Sequence, residues 1–544
     1  MANVPIPAKN EALPRQPALA PDASIRQAIE PAFEAFERLH DAGRPQVVWT
    51  RLIADLETPV SAYLKLTNGL GAKGSTSFVF ESVEGGAARG RYSMIGVRPD
   101  LIWRAHGLVA EINRDPLVSP GDFEPETLDT LASLRALIAQ SAIDLPAGLP
   151  PMAAGVFGYM GYDTIRLVEH LPAMKPDDIG VPDGILMRPT VMVVFDGVKD
   201  EMTVVTPVRP SPDKGAQDAY DGACVRLAAA VAALEAHLPH EAGVRSAELT
   251  APAPVSNTTQ AQFLEMVARS KEYIAAGDIF QVVLSQRFSC PFALPPFALY
   301  RALRRTNPSP FLFHLDFGGF ALVGSSPEIL VRVRDGAVTI RPIAGTTRRG
   351  RDEAEDATLA ATLLADPKER SEHLMLLDLG RNDVGRVATP GTVRVTGQFI
   401  VERYSHVMHI VSNVEGRLDS AHDPLDALMA GFPAGTVSGA PKVRAMEIID
   451  ELEVSKRGPY AGCVGYFSAD GEMDTAIVLR TALVKDGMMH VQAGAGIVYD
   501  SVPENEQQEC INKAKALVKA AEEAVRFAGG AAARLGPGNG GIFD

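Results

Sequence analysis

The chain predicts an α+β fold with large antiparallel sheets, and three observations carry that prediction. Short β-like runs and amphipathic helical segments follow one another in mixed order. Neither an internal repeat nor a strand–helix–strand rhythm appears, which disfavours a doubly wound parallel sheet. Residues 190–195 and 202–207 flank Asp196-Gly197, the signal of an antiparallel hairpin with a slightly long loop. At 544 residues the chain is too long for one ordinary core, so two large domains are expected.

In chain order, residues 1–24 are Pro- and Ala-rich and read as disordered. Residues 25–40 read as an amphipathic helix, and β-like runs begin at 46–49, 77–80 and 101–103. An Ala-rich helix is expected over 216–237. The stretch 241–257, with Ser, Thr, Ala and Pro, reads as a linker between an N-terminal domain (25–240) and a C-terminal one (258–527). The second domain opens with a helix over 260–276, where Phe263, Met266, Val267 and Ile274 share one face and Gly277 can close the last turn. A strand is expected at 281–288. The Gly-rich tail, 528–544, reads as flexible.

Composition narrows the function. A hydrophobic content of 46% with 22% charge suits a soluble globular protein. The net charge of −15, with no long basic run, argues against nucleic-acid binding. No apolar run approaches a membrane span, and the N-terminus lacks the apolar core of a signal peptide. Four scattered cysteines without a Cys-x-x-Cys pair fit reduced cytoplasmic thiols rather than a disulfide frame or zinc site.

Two helices carry the most pointed chemistry. Pro367 should start one of them, with Leu374, Met375 and Leu377 as its apolar face. Glu369 and Glu372, three apart, then point the same way. A solvated face accounts for that pair, and so does a cation between its members. The second helix follows Ser501-Val-Pro-Glu504, which reads as a capping box. On it Glu506, Glu509 and Lys513 share one face. Magnesium takes hard oxygen ligands, few of them protein carboxylates, and keeps waters. Two facing Glu-x-x-Glu pairs suit it: one Glu of each bonds the ion, the other holds its waters.

Further elements could bind anions. Arg341-Pro-Ile-Ala-Gly-Thr346 runs from a strand into a Gly-Thr turn whose freed amides can hold a carboxylate. Gln492-Ala-Gly-Ala-Gly496 allows close backbone approach, although Gly-x-Gly alone is more often a bulge or tight packing. Phe432-Pro-Ala-Gly-Thr-Val-Ser-Gly-Ala-Pro-Lys442 precedes a helix through Met446 and Ile449, and a helix start with exposed amides is an anion site. Arg480 reads as a cation embedded in an apolar strand, either a structural salt bridge or a carboxylate clamp. His406 and His409 face opposite sides of a strand, so at most one serves a given site. No Ser-His-Asp order, Walker loop or dinucleotide fingerprint appears. A divalent cation, carboxylate-binding elements and one acid/base candidate together suit a small dicarboxylate.

Taken together, these motifs are similar in kind and order to those of the chorismate-utilising enzymes. The resemblance covers roughly 257–527, and Phe78-Val-Phe-Glu-Ser82, Arg91-Tyr-Ser93 and Gly155-Val-Phe-Gly-Tyr-Met-Gly161 extend it into the first half. Within that family it is strongest to the component I (large) subunits of anthranilate synthases. These turn chorismate and ammonia into anthranilate and pyruvate at the start of tryptophan synthesis. The resemblance implies an antiparallel sandwich flanked by helices and an N-terminal regulatory portion. It implies Mg2+ as cofactor, bound directly by Glu372 and Glu509 and through water by Glu369 and Glu506. It places Gly345, Thr346, Tyr460, Arg480, Gly494, Ala495, Gly496 and Lys513 on chorismate. It makes Glu328 the acid near the departing 4-hydroxyl, associates His409 with pyruvate elimination, and sets Thr436 beside the substrate.

Two positions discriminate within the family. Water-activating members carry a lysine where this chain has Gln281, and glutamine cannot deprotonate water. Many aminodeoxychorismate synthases carry a nucleophilic lysine where this chain has Ala344, so here ammonia itself must attack. The chain contains no glutaminase motif, so the resemblance implies a separate glutamine amidotransferase (component II) and a hetero-oligomer. L-tryptophan is the implied inhibitor, held by Ser82, Pro310, Phe311 and Leu312; the family often has Pro-Tyr-Met there, and Phe311 and Leu312 depart from it. Two rivals stand beside this reading: an aminodeoxychorismate synthase that keeps the enolpyruvyl group, and a catalytically silent tryptophan-sensing subunit.

Overall fold

Strand pairing starts from Gln281–Pro291 and can be followed through both halves of the sequence. That strand pairs with Met488–Ile497, followed by Thr481–Lys485, Phe320–Ser326 and Phe311–Asp316. Phe311–Asp316 pairs with Ser77–Glu84 of the first half, and the ribbon runs on through Ala88–His106, Gly184–Asp196 and Gly155–Met160. Gly155–Met160 returns it to the second half at Cys463–Ser468, then Met473–Ile477, Ile329–Arg334, Ala337–Ile340 and Val407–Arg417. All of these pairings are antiparallel. The computed structural model describes residues 29–84, 88–172, 174–239, 253–404 and 407–528. The expected disorder of 1–24, most of the expected linker, nearly all of the expected tail and His406 lie outside those residues.

The cores are shared in the same way. One apolar cluster joins Trp103 to Phe263 and Ile477. A second joins Leu66 and Phe195 to Tyr300 and Leu517. A third joins Phe78 and Phe157, whose rings lie 4.6 Å apart, to Phe313 and Tyr466. Each fully buried large apolar side chain contributes about 1.5–3 kcal/mol.

Most elements form where patterning places them. The hairpin pairs Gly184–Asp196 with Glu201–Val208. Gln260–Ala276 starts at a Thr259/Gln262 capping box and ends on Gly277 at φ 82°, a left-handed position that glycine adopts without strain. Of the helix expected over 25–40, residues 25–28 lie outside the described residues, and the described part is shorter than expected. It spans Phe33–Asp41, because Glu30 is drawn into a backbone bridge with Trp49 and the chain there is extended.

The two glutamate-bearing helices depart from expectation in detail. Pro367–Gly385 starts on Asp366, whose carboxylate accepts the Lys368 and Glu369 amides. Its buried stripe is His373, Leu376, Leu377, Gly380 and Val384, while Leu374 is 51% exposed. At about 100° per residue Leu374 lies a quarter-turn outside that stripe, whereas Glu369 falls within its N-terminal continuation. The helix Pro503–Ala528 begins two residues after Ser501, one residue later than the expected cap implies. The Ser501 hydroxyl accepts the Val498 amide and bonds the Glu506 carboxylate.

Candidate active site

Hydrogen bonds and charge interactions link most of the candidate residues. Glu328 sits between the strands Phe320–Ser326 and Ile329–Arg334 and is 4% exposed. Thr436, in the turn before Pro441, donates its hydroxyl to Glu328 Oε1 at 2.8 Å. Burial pushes the Glu328 carboxyl up to about 8, against the opposing pull of Thr436, the Ile343 amide and Arg480. Near neutrality it is therefore mostly a protonated acid.

Arg480 is not embedded in a strand. It occupies a bend between Met473–Ile477 and Thr481–Lys485 with a left-handed φ of 47°, which turns it out of the sheet pleat. Its charge is felt by both Glu328 and His409. Burial lowers its own affinity for a proton, and the neighbouring Glu328 opposes that.

His409 lies on Val407–Arg417 opposite Thr346. Its Nδ1 is 3.0 Å from Thr346 Oγ1 and 3.2 Å from the Gly345 carbonyl. A carbonyl only accepts, so the network assigns the proton to Nδ1 and leaves Nε2 as the basic nitrogen. Burial, with Arg480 adding to it, lowers the imidazole to about 4, so the ring is neutral at ordinary pH.

Gly345 forms the bulge in Ile343–Arg348, at φ 72°. A Cβ there would stand 3.1 Å from both Glu369 Oε2 and Ile410 Cδ1. The Thr346 amide bonds the Glu369 carboxylate. This Gly-Thr turn does hold a carboxylate, namely the protein's own.

The two Glu-x-x-Glu pairs feel each other's charge. Burial raises Glu369, Glu372 and Glu506, and the charge of Glu509 adds to each. Lys513 bonds Glu509 Oε1 at 2.7 Å and the Gly494 carbonyl at 2.9 Å. Among the described residues no three carboxylate, imidazole or thiol groups already form a closed metal cage. The donor set still fits magnesium, which needs hard oxygens and usually only one or two direct carboxylates. Close acidic oxygens, opposed locally by Lys368 and Lys513, are what a divalent ion would neutralise.

The glycines of Met488–Ile497 act through close approach. A Cβ on Gly494 would stand 2.7 Å from the Leu284 carbonyl and 2.8 Å from the Tyr460 hydroxyl, and one on Gly496 would stand 2.4 Å from Gln281 Nε2. Ala495 faces the core at 0% exposure, so only its backbone is available. Arg480, Glu509 and Lys513 line a cleft of about 540 Å³, a size suited to a small molecule. Asn307, Asn505 and Asn512 line it too. Pattern reading missed these amides, since isolated Asn carries no periodic signal. It also missed Tyr404, whose ring meets His409 edge-on at 5.5 Å and whose hydroxyl bonds Glu402 at 2.9 Å.

Ser82, Phe311 and Leu312 line a separate cavity of about 400 Å³, together with Tyr92, Arg334 and Asp474. Pro310 is not among the described lining residues. Glu81 beside Ser82 is clamped by Arg304, at 2.6 and 2.9 Å, and by the Tyr300 hydroxyl.

Residues 96–519 match the family described as chorismate binding enzyme. The chain belongs to that family. Within it, the chain falls among the proteins called anthranilate synthase component 1. It is 57% identical to that of Cereibacter sphaeroides over 91% of this chain and 98% of the other. It is 49% identical to that of Thermus thermophilus over 87% and 97%. The crystal structure of anthranilate synthase component I from Streptococcus pneumoniae superposes with TM-score 0.69 at 38% identity, over 79% of this chain and 92% of that one. The isochorismate synthase MenF of Escherichia coli, at 21% identity and TM-score 0.65, shares the fold.

Proposed function

We propose that this enzyme converts chorismate and ammonia to anthranilate and pyruvate, with Glu328 as acid and His409 as base. What supports the reading most is a series of hydrogen bonds and charge interactions: Glu328 with Thr436 and Arg480, Arg480 with His409, His409 with Thr346, Thr346 with Glu369, Glu369 with Glu509, and Glu509 with Lys513. A protonated acid, a neutral base, a guanidinium and a cluster of carboxylates are thus joined in one network.

In the first step ammonia forms a bond to C2 while the C4–O bond breaks. Hydroxide is a poor leaving group, so Glu328 gives it a proton and it departs as water. In the second, His409 Nε2 removes the C2 proton and the C3–O bond breaks. Enolpyruvate leaves and takes up a proton to become pyruvate, and the ring becomes aromatic. Arg480 and Lys513 hold substrate carboxylates. Glu372 and Glu509 would hold Mg2+ directly, with Glu369 and Glu506 on its waters. When bound, the ion would supply charge neutralisation at a substrate carboxylate.

The ammonia comes from a separate glutamine amidotransferase, component II, with free ammonia as a substitute at high concentration. The cavity at Ser82, Phe311 and Leu312 takes L-tryptophan as a feedback inhibitor: Tyr92 and Phe311 offer apolar surface, Arg334 and Asp474 opposite charges for a zwitterion. Buried free thiols at Cys290, Cys463 and Cys510 suit a reducing cytoplasm.

Incubation with chorismate, ammonium and magnesium tests the assignment. Blue-fluorescent anthranilate is expected. A non-fluorescent amino product would move the chain to the aminodeoxychorismate synthases, and no turnover of chorismate would leave a silent tryptophan sensor.

A further inference from the structure

We propose that the buried ion pair Glu453–Arg457 is a positioning element for this reaction, fixing the Thr436 turn and Tyr460 relative to the Gly494–Gly496 strand. Arg457 is 2% exposed and Glu453 4%. The guanidinium meets the carboxylate through two bonds, Nη2 to Oε1 at 2.6 Å and Nε to Oε2 at 2.9 Å. Stability alone does not account for such a pair. Apolar residues of similar volume in place of a buried ion pair are often neutral or stabilising.

The remaining bonds of the pair go to the frame of the cleft. Arg457 Nη1 donates to the Val437 carbonyl at 2.7 Å, one residue beyond Thr436. Nη2 also donates to the Val283 carbonyl at 2.7 Å, and Val283 stands opposite Gly496 in the sheet. Glu453 Oε1 accepts both the amide and the hydroxyl of Ser285 at 2.8 Å, and Ser285 stands opposite Gly494. The Arg457 carbon lies 5.5 Å from the Tyr460 ring centre and 4.6 Å from that of Tyr162 in the first half. One rigid fork thus holds the loop that positions the acid's partner, the strand carrying the close-approach glycines, and the ring above Gly494. Lysine, with a single flexible ammonium, cannot reproduce that geometry.

The inference rests on Glu328 being the acid and Thr436 its partner, so Thr436→Ala serves as the reference. The principal variant is Glu453→Leu with Arg457→Met, which removes the pair without stranding a buried charge. It should melt within about 5 °C of the parent yet lose about 100-fold in kcat, as a shift of about 1 Å can cause. Its high-pH limb of kcat should move to higher pH, as in Thr436→Ala, because Glu328 loses a hydrogen bond that favours its ionised form. A single Arg457→Lys variant keeps Glu453 paired; it should fold and also lose at least about 10-fold in kcat. Parental kcat with an unmoved limb in the folded double variant, or parental kcat in Arg457→Lys, overturns the proposal. Parental behaviour of Thr436→Ala instead removes the Glu328–Thr436 reading itself.

Discussion

Thr436 donates its hydroxyl hydrogen to Glu328 Oε1 over 2.8 Å, across 108 residues of sequence. Burial holds the Glu328 carboxyl near 8, and this bond pulls the other way because it favours the carboxylate. As an acid, Glu328 must be protonated, so kcat should fall as pH rises through about 8. Thr436→Ala should move that fall to higher pH, measured in a kcat–pH profile. Stability follows the same proton. The folded value lies above the unfolded one near 4.3, so the contribution is complete below that and is lost as pH rises through the folded value. Glu328→Gln, inactive as an acid, should therefore lose less stability than the parent between pH 5 and 9, by at least about 2 kcal/mol in denaturant titrations.

The metal assignment predicts a different pattern. Glu372→Gln and Glu509→Gln each remove one proposed direct ligand, and turnover should drop by at least about 100-fold. Chelation of the parent should abolish activity, and added magnesium should restore it. Raised magnesium should partly rescue Glu369→Gln and Glu506→Gln, which in this assignment reach the ion only through water. Equal, unrescued defects in all four would count against the division between direct and water-held ligands.

His409 carries its proton on Nδ1, facing the Gly345 carbonyl, and is neutral because burial lowers it to about 4. His409→Phe keeps an aromatic ring against Tyr404 and removes the base. Amination should survive while elimination slows by about 100-fold or more. Chromatography should then reveal an amino intermediate that still holds its enolpyruvyl group. An unchanged product ratio would clear His409 of the second step.

Gly494 and Gly496 look alike in sequence but should respond differently to alanine. At Gly494 the new methyl meets the backbone carbonyl of Leu284 at 2.7 Å, which cannot move without opening the sheet. At Gly496 it meets the end of the Gln281 side chain at 2.4 Å, which can rotate away. Gly494→Ala should cost about 1–3 kcal/mol of stability. Gly496→Ala should keep its Tm and lose kcat/KM instead.

These pairs also show what was readable in advance. The Gly277 stop of 260–276, the hairpin at Asp196-Gly197 and the glutamate spacings are local, so composition and period exposed them. Leu374 was misplaced because adjacent leucines satisfy two helical stripes, and only packing chooses between them. Arg480 was misread as a strand residue because an apolar run does not announce a left-handed bend. The sheet that passes from Phe311–Asp316 into Ser77–Glu84 has no sequence signal, since pairing between distant strands depends on tertiary context. The same holds for Glu453 and Arg457, whose i, i+4 spacing reads equally well as a solvated helix face.

Ser82 pairs with Phe311, and Phe311 pairs with Ser326, two residues before Glu328. The cavity proposed for tryptophan and the proposed acid thus sit on adjacent strands, yet the cavity shares no lining residue with the cleft of Arg480, Glu509 and Lys513. A change in the cavity should therefore separate inhibition from catalysis. Ser82→Ala removes one hydroxyl from the lining and leaves the Glu81–Arg304 clamp intact. A lost hydrogen bond to a zwitterion should weaken tryptophan binding by about 1–3 kcal/mol, a factor of roughly 5 to 150. The measurement is the tryptophan concentration that halves anthranilate formation, with kcat in its absence as control. Undiminished inhibition would place the effector away from Ser82, whereas a parallel fall in uninhibited kcat would mean that the substitution disturbed the strands rather than the ligand.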